Sequence, residues 1–237
     1  MYLSRLILNP RCREVQRDLA DCQNLHRTIL SAFPQVERNG DGARSQFGVL
    51  YRMDVESSTG RLVLLVQSLA RPDWSSLHSG YLTPDDEDNF ACKPIAEFYD
   101  RLKPGMNLIF RLRANPTRKI DTRSGPDGKK RNGKRVELRT ETEQIEWLRR
   151  RGENAGFRLL SVRAKKETPD VRTNVESKSL GWRAPTGRMT FGSVLFEGKL
   201  EITDAASFRE TLAHGIGSAK SYGFGLFSIA RVQELPQ

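Results

Sequence analysis

Eleven residues near the end of the chain, Gly215-Ile216-Gly217-Ser218-Ala219-Lys220-Ser221-Tyr222-Gly223-Phe224-Gly225, combine four glycines with a lysine and a tyrosine. Loops of this composition suit phosphate. Glycine tolerates positive φ and has no Cβ to hold a ligand away, so successive N–H groups can face an anion while Lys220 adds formal charge. Gly215, Gly217, Ser218, Lys220 and Gly223 are the candidate phosphate contacts. Lys220 and Tyr222 are also weak candidates for catalytic work. The stretch is neither a Walker loop, since Lys220 is not in a G-K-[ST] sequence, nor a dinucleotide fingerprint, since no strand leads into it and no helix follows. The plain alternative is a tight helix-to-strand turn.

Of the three histidines, His26 has the informative setting. At helical spacing it shares a face with Leu19, Cys22, Ile29, Leu30 and Phe33, which fits a half-buried core histidine as well as it fits a proton-transfer group. Cys22 and His26 stand four apart, but two ligands without partners make no metal site. His78 falls in a polar stretch, and His214 closes a helix, where it favours the dipole. Cys12, Cys22 and Cys92 are odd in number and lack C-x-x-C spacing, so they read as reduced thiols. No metal and no cofactor is expected.

Charge narrows the partner. With 39 Lys+Arg against 29 Asp+Glu the chain carries +10, which points to a polyanion, either nucleic acid or an anionic membrane surface. No apolar run approaches the roughly 18 residues of a membrane span, and Met1 to Leu8 alternates like a strand instead of building a signal-peptide core. A soluble, cytoplasmic protein is expected. The excess is concentrated between Pro116 and Arg139, where nine basic residues face three acidic ones, a net +6. Lys129, Lys130, Arg131, Lys134 and Arg135 form its densest part, around a Ser124-Gly125-Pro126-Asp127-Gly128 core that forbids a helix. A mobile phosphate-contacting loop is predicted there. A second polar insertion, Lys165 to Arg188, is mixed in sign.

The elements that must position these groups repeat. Tyr2 to Leu8 reads as a strand, and a helix capped by Asp18 or Asp21 runs to about Ala32, where Phe33-Pro34 stops it. Strands at Phe47 to Val55 and Arg61 to Ser68 follow, then an irregular or short helical stretch from Pro72, and a weak strand from Lys93 to Phe98. That order is ferredoxin-like. The second half repeats it with a strand at Met106 to Ala114, a helix at Thr142 to Arg151, and strands at Phe157 to Ala164 and Met189 to Ile202. A helix at Ala205 to His214 and a strand at Phe224 to Val232 complete it. The predicted fold is α+β: two tandem ferredoxin-like (RRM-like) domains with antiparallel sheets. Residues 1–100 form the domain with His26, and residues 101–237 the domain with the basic insertion 116–139 and the glycine-rich loop 215–225.

Several stretches resemble one family in order along the chain. They are Met1-Tyr2-Leu3-Ser4, the helix from Leu25-His26-Arg27 to Phe33-Pro34, Phe110-Arg111-Leu112-Arg113-Ala114-Asn115-Pro116, Gln144-Ile145-Glu146-Trp147-Leu148, Phe196-Glu197-Gly198 and the glycine-rich loop. Together they resemble the CasE family, the CRISPR RNA-processing endoribonuclease subunits of the type I-E Cascade complex. The resemblance implies a protein that binds the CRISPR repeat hairpin, cuts at the 3′ base of the stem without metal, and keeps its product as a Cascade subunit. It implies that His26 moves protons as a ribose 2′-hydroxyl attacks the adjacent phosphate, leaving a 2′,3′-cyclic phosphate and a 5′-hydroxyl. Family members commonly carry a tyrosine where this chain has Gln23. An amide can bond a phosphate or a ribose but cannot shuttle a proton. Gln23 and Arg27 are accordingly expected at the RNA, and Arg158, Arg163, Lys165 and Lys166 on the positive face that holds the duplex. Two alternatives stand on the residues alone. One is a tandem RRM-like RNA-binding protein that does not cut, with His26 in its core. The other is an enzyme using a phosphorylated small molecule at the glycine loop, disfavoured by diffuse charge and the lack of an acidic metal cluster.

Overall fold

A strand with an apolar residue at every other position buries one face, and β1 (Tyr2–Leu8) does so through Ser4, Leu6 and Leu8. A computed structural model describes residues 1–36, 42–84, 89–120, 135–162, 165–185 and 187–232. After β1 the chain forms two helices, α1 (Arg13–Ala20) and α2 (Cys22–Leu30), where one was expected. The break has a local cause. Asp21 leaves helical geometry, with φ −139° and ψ 108°, and its side chain accepts the Gln23 N–H at 2.8 Å, capping α2 afresh. Asp18 is no cap; it is buried in α1 and accepts from the Tyr81 hydroxyl at 2.9 Å. Leu19 belongs to α1 and is 41% exposed, so it does not share the buried face of Cys22, Leu25 and Ile29.

A short helix, α3 (Ala43–Gln46), precedes β2 (Leu50–Val55), which is shorter than the expected strand from Phe47. The hairpin partner is β3 (Leu62–Ser68), and a 3₁₀ turn (Trp74–Ser76) leads toward β4 (Phe90–Pro94). The chain then enters α4 (Ala96–Asp100), where a continuing strand was expected. The sheet order β2-β3-β1-β4, antiparallel throughout, is ferredoxin-like. Val15, Leu25 and Ile29 of the helices pack on Leu6, Leu8, Tyr51, Leu64 and Val66 to make one core.

β5 (Asn107–Ala114) buries Leu108, Phe110, Leu112 and Ala114 in strict alternation. β6 (Thr117–Lys119) and β7 (Arg135–Glu137) pair as the root of the basic insertion. Lys129, Lys130, Arg131 and Lys134 lie outside the described residues. α5 (Glu141–Ala155) opens on a Thr140/Glu143 capping box and ends at Gly156 in the left-handed region. The expected strand from Phe157 is split into β8 (Phe157–Leu159) and β9 (Ser161–Val162), the latter paired with β10 (Lys165–Pro169).

The stretch from Lys165 to Arg188, expected as a polar insertion, is largely strand. β11 (Val171–Arg183) and β12 (Gly187–Ile202) pair from Val171↔Gly198 to Arg183↔Gly187 as a long antiparallel ribbon. Mixed charge hid it, because both faces of a ribbon that leaves its sheet are largely wet. α6 (Ala205–His214), capped by Asp204, and β13 (Phe227–Arg231) complete a sheet ordered β11-β12-β5-β13, with β8 also on β12. Counting β8 and β11 together as one strand gives the ferredoxin-like order a second time. Both halves of the expected tandem fold are present.

Polar side chains tie the two sheets together. Arg52, only 2% exposed, pairs with Asp54 and donates to the Arg111 carbonyl at 3.1 Å. Gln67 donates to the Leu212 carbonyl at 2.6 Å, and Tyr99 donates to Gln67 at 2.8 Å. These buried bonds hold β2 and β3 of the first sheet against β5 and α6.

Candidate active site

Tyr51 reaches out of the first core and donates its hydroxyl to the Ser221 carbonyl at 2.7 Å, which docks the glycine loop on β2. The loop is close-packed. A Cβ at Gly215 would stand 2.8 Å from the Gly225 carbonyl and from Leu50, and one at Gly223 would stand 3.2 Å from the Tyr51 ring. The amides of Gly215, Ile216, Tyr222 and Gly225 are all spent on protein carbonyls. Ser218 donates to the Asn115 side chain or carbonyl at 3.3 Å. What the loop presents outward is therefore chiefly side chain, at the 3₁₀ turn Lys220–Tyr222.

That turn meets α2 at His26. The rings of His26 and Tyr222 lie 6.1 Å apart, edge to face, and Tyr222 stacks at 4.9 Å on Phe191 of β12. The phenol is thereby fixed from the side away from the histidine. His26 Nδ1 is buried and has no hydrogen-bond partner. An orphan polar atom of that kind costs about 1–3 kcal/mol, which a bound substrate group would relieve.

The charges acting on this corner are all positive. Burial first, then Arg44, Arg183 and Arg27, push the His26 pKa down to about 4. Burial, Arg44 and Arg151 hold the Lys220 ammonium below the usual lysine range, and burial lowers Arg44 as well. The Arg44 guanidinium donates to the Ser45 hydroxyl at 2.7 Å. Elsewhere arginines are neutralised: Arg111 by Glu197, Arg113 by Glu176, Arg149 by Glu146, and Arg158 by Glu201 at 2.8 Å. Positive charges converging on one corner favour an anion there.

Sequence reasoning brought together His26, Tyr222 and Lys220, and the structure sets them at one corner. Gln23 lies three residues before His26 on α2, hence on the same side of the helix, and is half-buried. Arg27 is exposed. Arg135 opens β7 and bonds Thr117 at 3.3 Å. Arg163 lies outside the described residues, as do the side chains of Lys165 and Lys166 in β10. Arg44, Arg183 and Phe191 were missed. Arg44 sits in a polar stretch with no periodicity, Arg183 on the half of the ribbon expected as a polar insertion, and Phe191 in an expected strand whose contact with Tyr222 appears only in the fold. Among the described residues one mixed cluster with metal-ligand atoms occurs: Cys12 donates to Glu14 at 3.1 Å, and His78 lies 3.6 Å from the same carboxylate. None of these residues contacts His26.

A family described as CRISPR associated protein matches residues 1–231. The chain is 37% identical over 237 residues to the CRISPR-associated endoribonuclease Cse3 of Thermus thermophilus, covering 97% of this chain and 100% of that one. It is 33% identical over 232 residues to the CRISPR system Cascade subunit CasE of Escherichia coli K12, covering 97% and 99%. This chain belongs to the Cse3/CasE family. A solved structure of the CRISPR endoribonuclease Cse3 bound to 19 nt RNA is similar with a TM-score of 0.77 at 36% identity, over 97% of this chain and 100% of that one. That of Cas6e from Escherichia coli K-12 is similar with a TM-score of 0.64 at 29% identity, over 98% and 100%. Among the described residues no helix is long and apolar enough to cross a membrane.

Proposed function

We propose that the protein is a CRISPR RNA-processing endoribonuclease that binds the repeat hairpin, cuts it by 2′-hydroxyl attack without metal, and retains the product as a subunit of Cascade in the cytoplasm. The observation that carries this reading is the unpartnered, buried Nδ1 of His26 in a place where the positive charges of Arg44, Arg183 and Arg27 all act on it. A scissile phosphate satisfies both, supplying an anion and bringing the reacting ribose to the imidazole.

The residues then take distinct roles. His26 is neutral in the free protein near pH 7 and so begins as a proton acceptor for the 2′-hydroxyl. Lys220 and Arg44 stabilise the charge that gathers on the phosphate oxygens as the new P–O bond forms. The 5′-oxygen leaves with a proton, giving a 2′,3′-cyclic phosphate and a 5′-hydroxyl. Tyr222, held by Phe191, bounds the site opposite His26. A corner lined by positive charge repels a divalent ion, which supports a mechanism without metal. The basic insertion and the glycine loop supply further RNA contacts. Division at residue 100 belongs to the same proposal, with the two cores as its support, although Ile95 and Tyr99 pack into the second.

The experiment is cleavage of the cognate repeat hairpin in excess chelator, with a matched RNA lacking the 2′-hydroxyl 5′ of the scissile phosphate. Cutting of the first to a cyclic-phosphate end, and binding without cutting of the second, is expected. A metal requirement or cleavage of the deoxy RNA would overturn the mechanism. Binding of both RNAs with no cutting of either would favour a non-catalytic RNA-binding module.

A further inference from the structure

The tip of the β11–β12 ribbon has two unlike faces. Gly181 lies against α2, where a Cβ would stand 2.7 Å from Cys22 Sγ and 3.1 Å from Asp21 Oδ1, and the Trp182 N–H donates to that same carboxylate oxygen at 3.3 Å. His26 is one helical turn beyond Cys22, and Arg183, next along the strand, is among the charges that press on it. The tip is thus fastened beside the reacting corner. Trp182, alternating with Gly181, faces away from α2 and is 62% exposed. Directly across the ribbon it is paired with Arg188, itself exposed, and the ring reaches the turn at Gly187, whose added Cβ would stand 4.0 Å from Trp182 Cη2. The other two tryptophans have partners in the protein: Trp147 is 5% exposed in the second core, and Trp74 donates to Ser4 at 3.2 Å.

An indole left in water beside an arginine on a strongly basic chain suits a nucleobase. Unpaired bases stack on aromatic side chains and on guanidinium planes, and such stacking tolerates any base. We propose that Trp182 and Arg188 form a stacking site for one unpaired nucleobase of the RNA next to the scissile phosphate, because the same ribbon tip is fastened to α2 one helical turn from His26. The inference rests on the endoribonuclease reading above and adds a site to it. A protein partner on the same indole is the competing occupant. It is disfavoured because the flanking charges, Arg183 and Arg188, are both basic and the neighbouring corner is built for phosphate.

The test pairs two non-cleavable hairpins, each lacking the reactive 2′-hydroxyl: one with intact unpaired nucleotides beside the cut, the other abasic at those nucleotides. Trp182→Ala is expected to weaken binding of the intact RNA about tenfold and to leave binding of the abasic RNA unchanged. Trp182→Phe, which keeps an aromatic face, is expected to retain most of the affinity and controls for folding. 2-Aminopurine at the stacked position is expected to be quenched by the wild-type protein and not by Trp182→Ala. Equal losses on both RNAs, or no loss on either, would overturn the stacking site. So would loss of assembly with the other Cascade subunits at unchanged RNA affinity. Cleavage of an ordinary hairpin by the wild-type protein keeps the two readings apart: if it cuts while Trp182→Ala binds both RNAs normally, only the stacking site falls.

Discussion

In the proposed mechanism the proton transfer turns on His26, whose surroundings make its neutral form the resting one. His26→Ala is expected to abolish cleavage and leave hairpin affinity within about threefold, since a proton-transfer group is needed in the transition state and not for holding phosphate. Single-turnover rates on bound RNA check this, and undiminished cutting by a folded variant would end the assignment. The pH dependence follows from the same surroundings. Burial, and after it the neighbouring cations, depress the pKa from 6.5 to about 4; bound phosphate opposes the cations' share, so the acid limb of the rate is expected with a midpoint above 4. Arg44→Ala removes a positive neighbour, which moves that limb to higher pH, and it slows cutting about 100-fold through loss of an oxyanion donor. A rate that climbs steadily from pH 8 to pH 5 would instead make His26 the proton donor. Stability carries the same signature. The unfolded chain binds more protons between about 4 and 6.5, so this contribution is full above 6.5 and is lost as pH falls toward 4. Thermal melts of His26→Ala at pH 5 and pH 7 are expected to differ less than those of the wild type. The histidine itself was legible from its helical face, but neither the missing partner of Nδ1 nor the pressure from Arg44 was, because both arise from elements far apart in sequence.

Asp21 joins the active helix to the ribbon that crowds it. One carboxylate oxygen caps α2 through the Gln23 N–H at 2.8 Å and receives the Trp182 N–H at 3.3 Å. Asp21→Ala is therefore expected to cost about 1–2 kcal/mol in urea denaturation and to slow cleavage, while Asp21→Asn, which keeps an acceptor, recovers most of both. Equal behaviour of the two variants would show that the oxygen holds neither element. The elements with strong patterns were readable beforehand: β5 by its alternation, α5 by Ile145, Trp147 and Leu148 set among charges, α6 by Asp204. Those shaped by a neighbour were not. The α1–α2 break is a single residue wide, and its only local mark is an aspartate that serves equally well inside one helix. The β11–β12 ribbon alternates weakly, because Val175, Leu180 and Trp182 stay exposed at 67%, 40% and 62%, while Gly181 rather than a large apolar residue fills the contact with α2.

Across the whole molecule, charge is placed where the two halves meet. Arg111, Arg113 and Arg158 of the second sheet carry carboxylate partners, whereas the charges that act on His26 are those of Arg44, Arg183 and Arg27, so in the proposed function the attraction for RNA comes from that corner and from the insertion rooted at β6 and β7. The root is anchored toward the site: Glu137 pairs with Lys178 of the ribbon at 3.4 Å, and its carboxyl group stands 2.9 Å from where a Cβ on Gly192 would be, next to the Phe191 that holds Tyr222. The root of the segment that carries the net +6 is thus tied to the ribbon. That concentration of charge was plain in the sequence; its tether was not, since Glu137, Lys178 and Gly192 meet only once the ribbon is folded. Changing Lys129, Lys130, Arg131, Lys134 and Arg135 together to alanine is expected to weaken hairpin binding and to flatten the dependence of log K on log[salt]. Each lost phosphate contact should lower the slope by about 0.7 to 0.9, and about two or three contacts are expected to go. Cutting of RNA already bound is expected to persist, because the proton transfer and the charge stabilisation belong to His26, Lys220 and Arg44. Titrations at several salt concentrations, alongside single-turnover rates at saturating protein, separate the two effects. Unchanged affinity with an unchanged slope would remove the insertion from the RNA interface and leave the charge at the His26 corner to hold the hairpin.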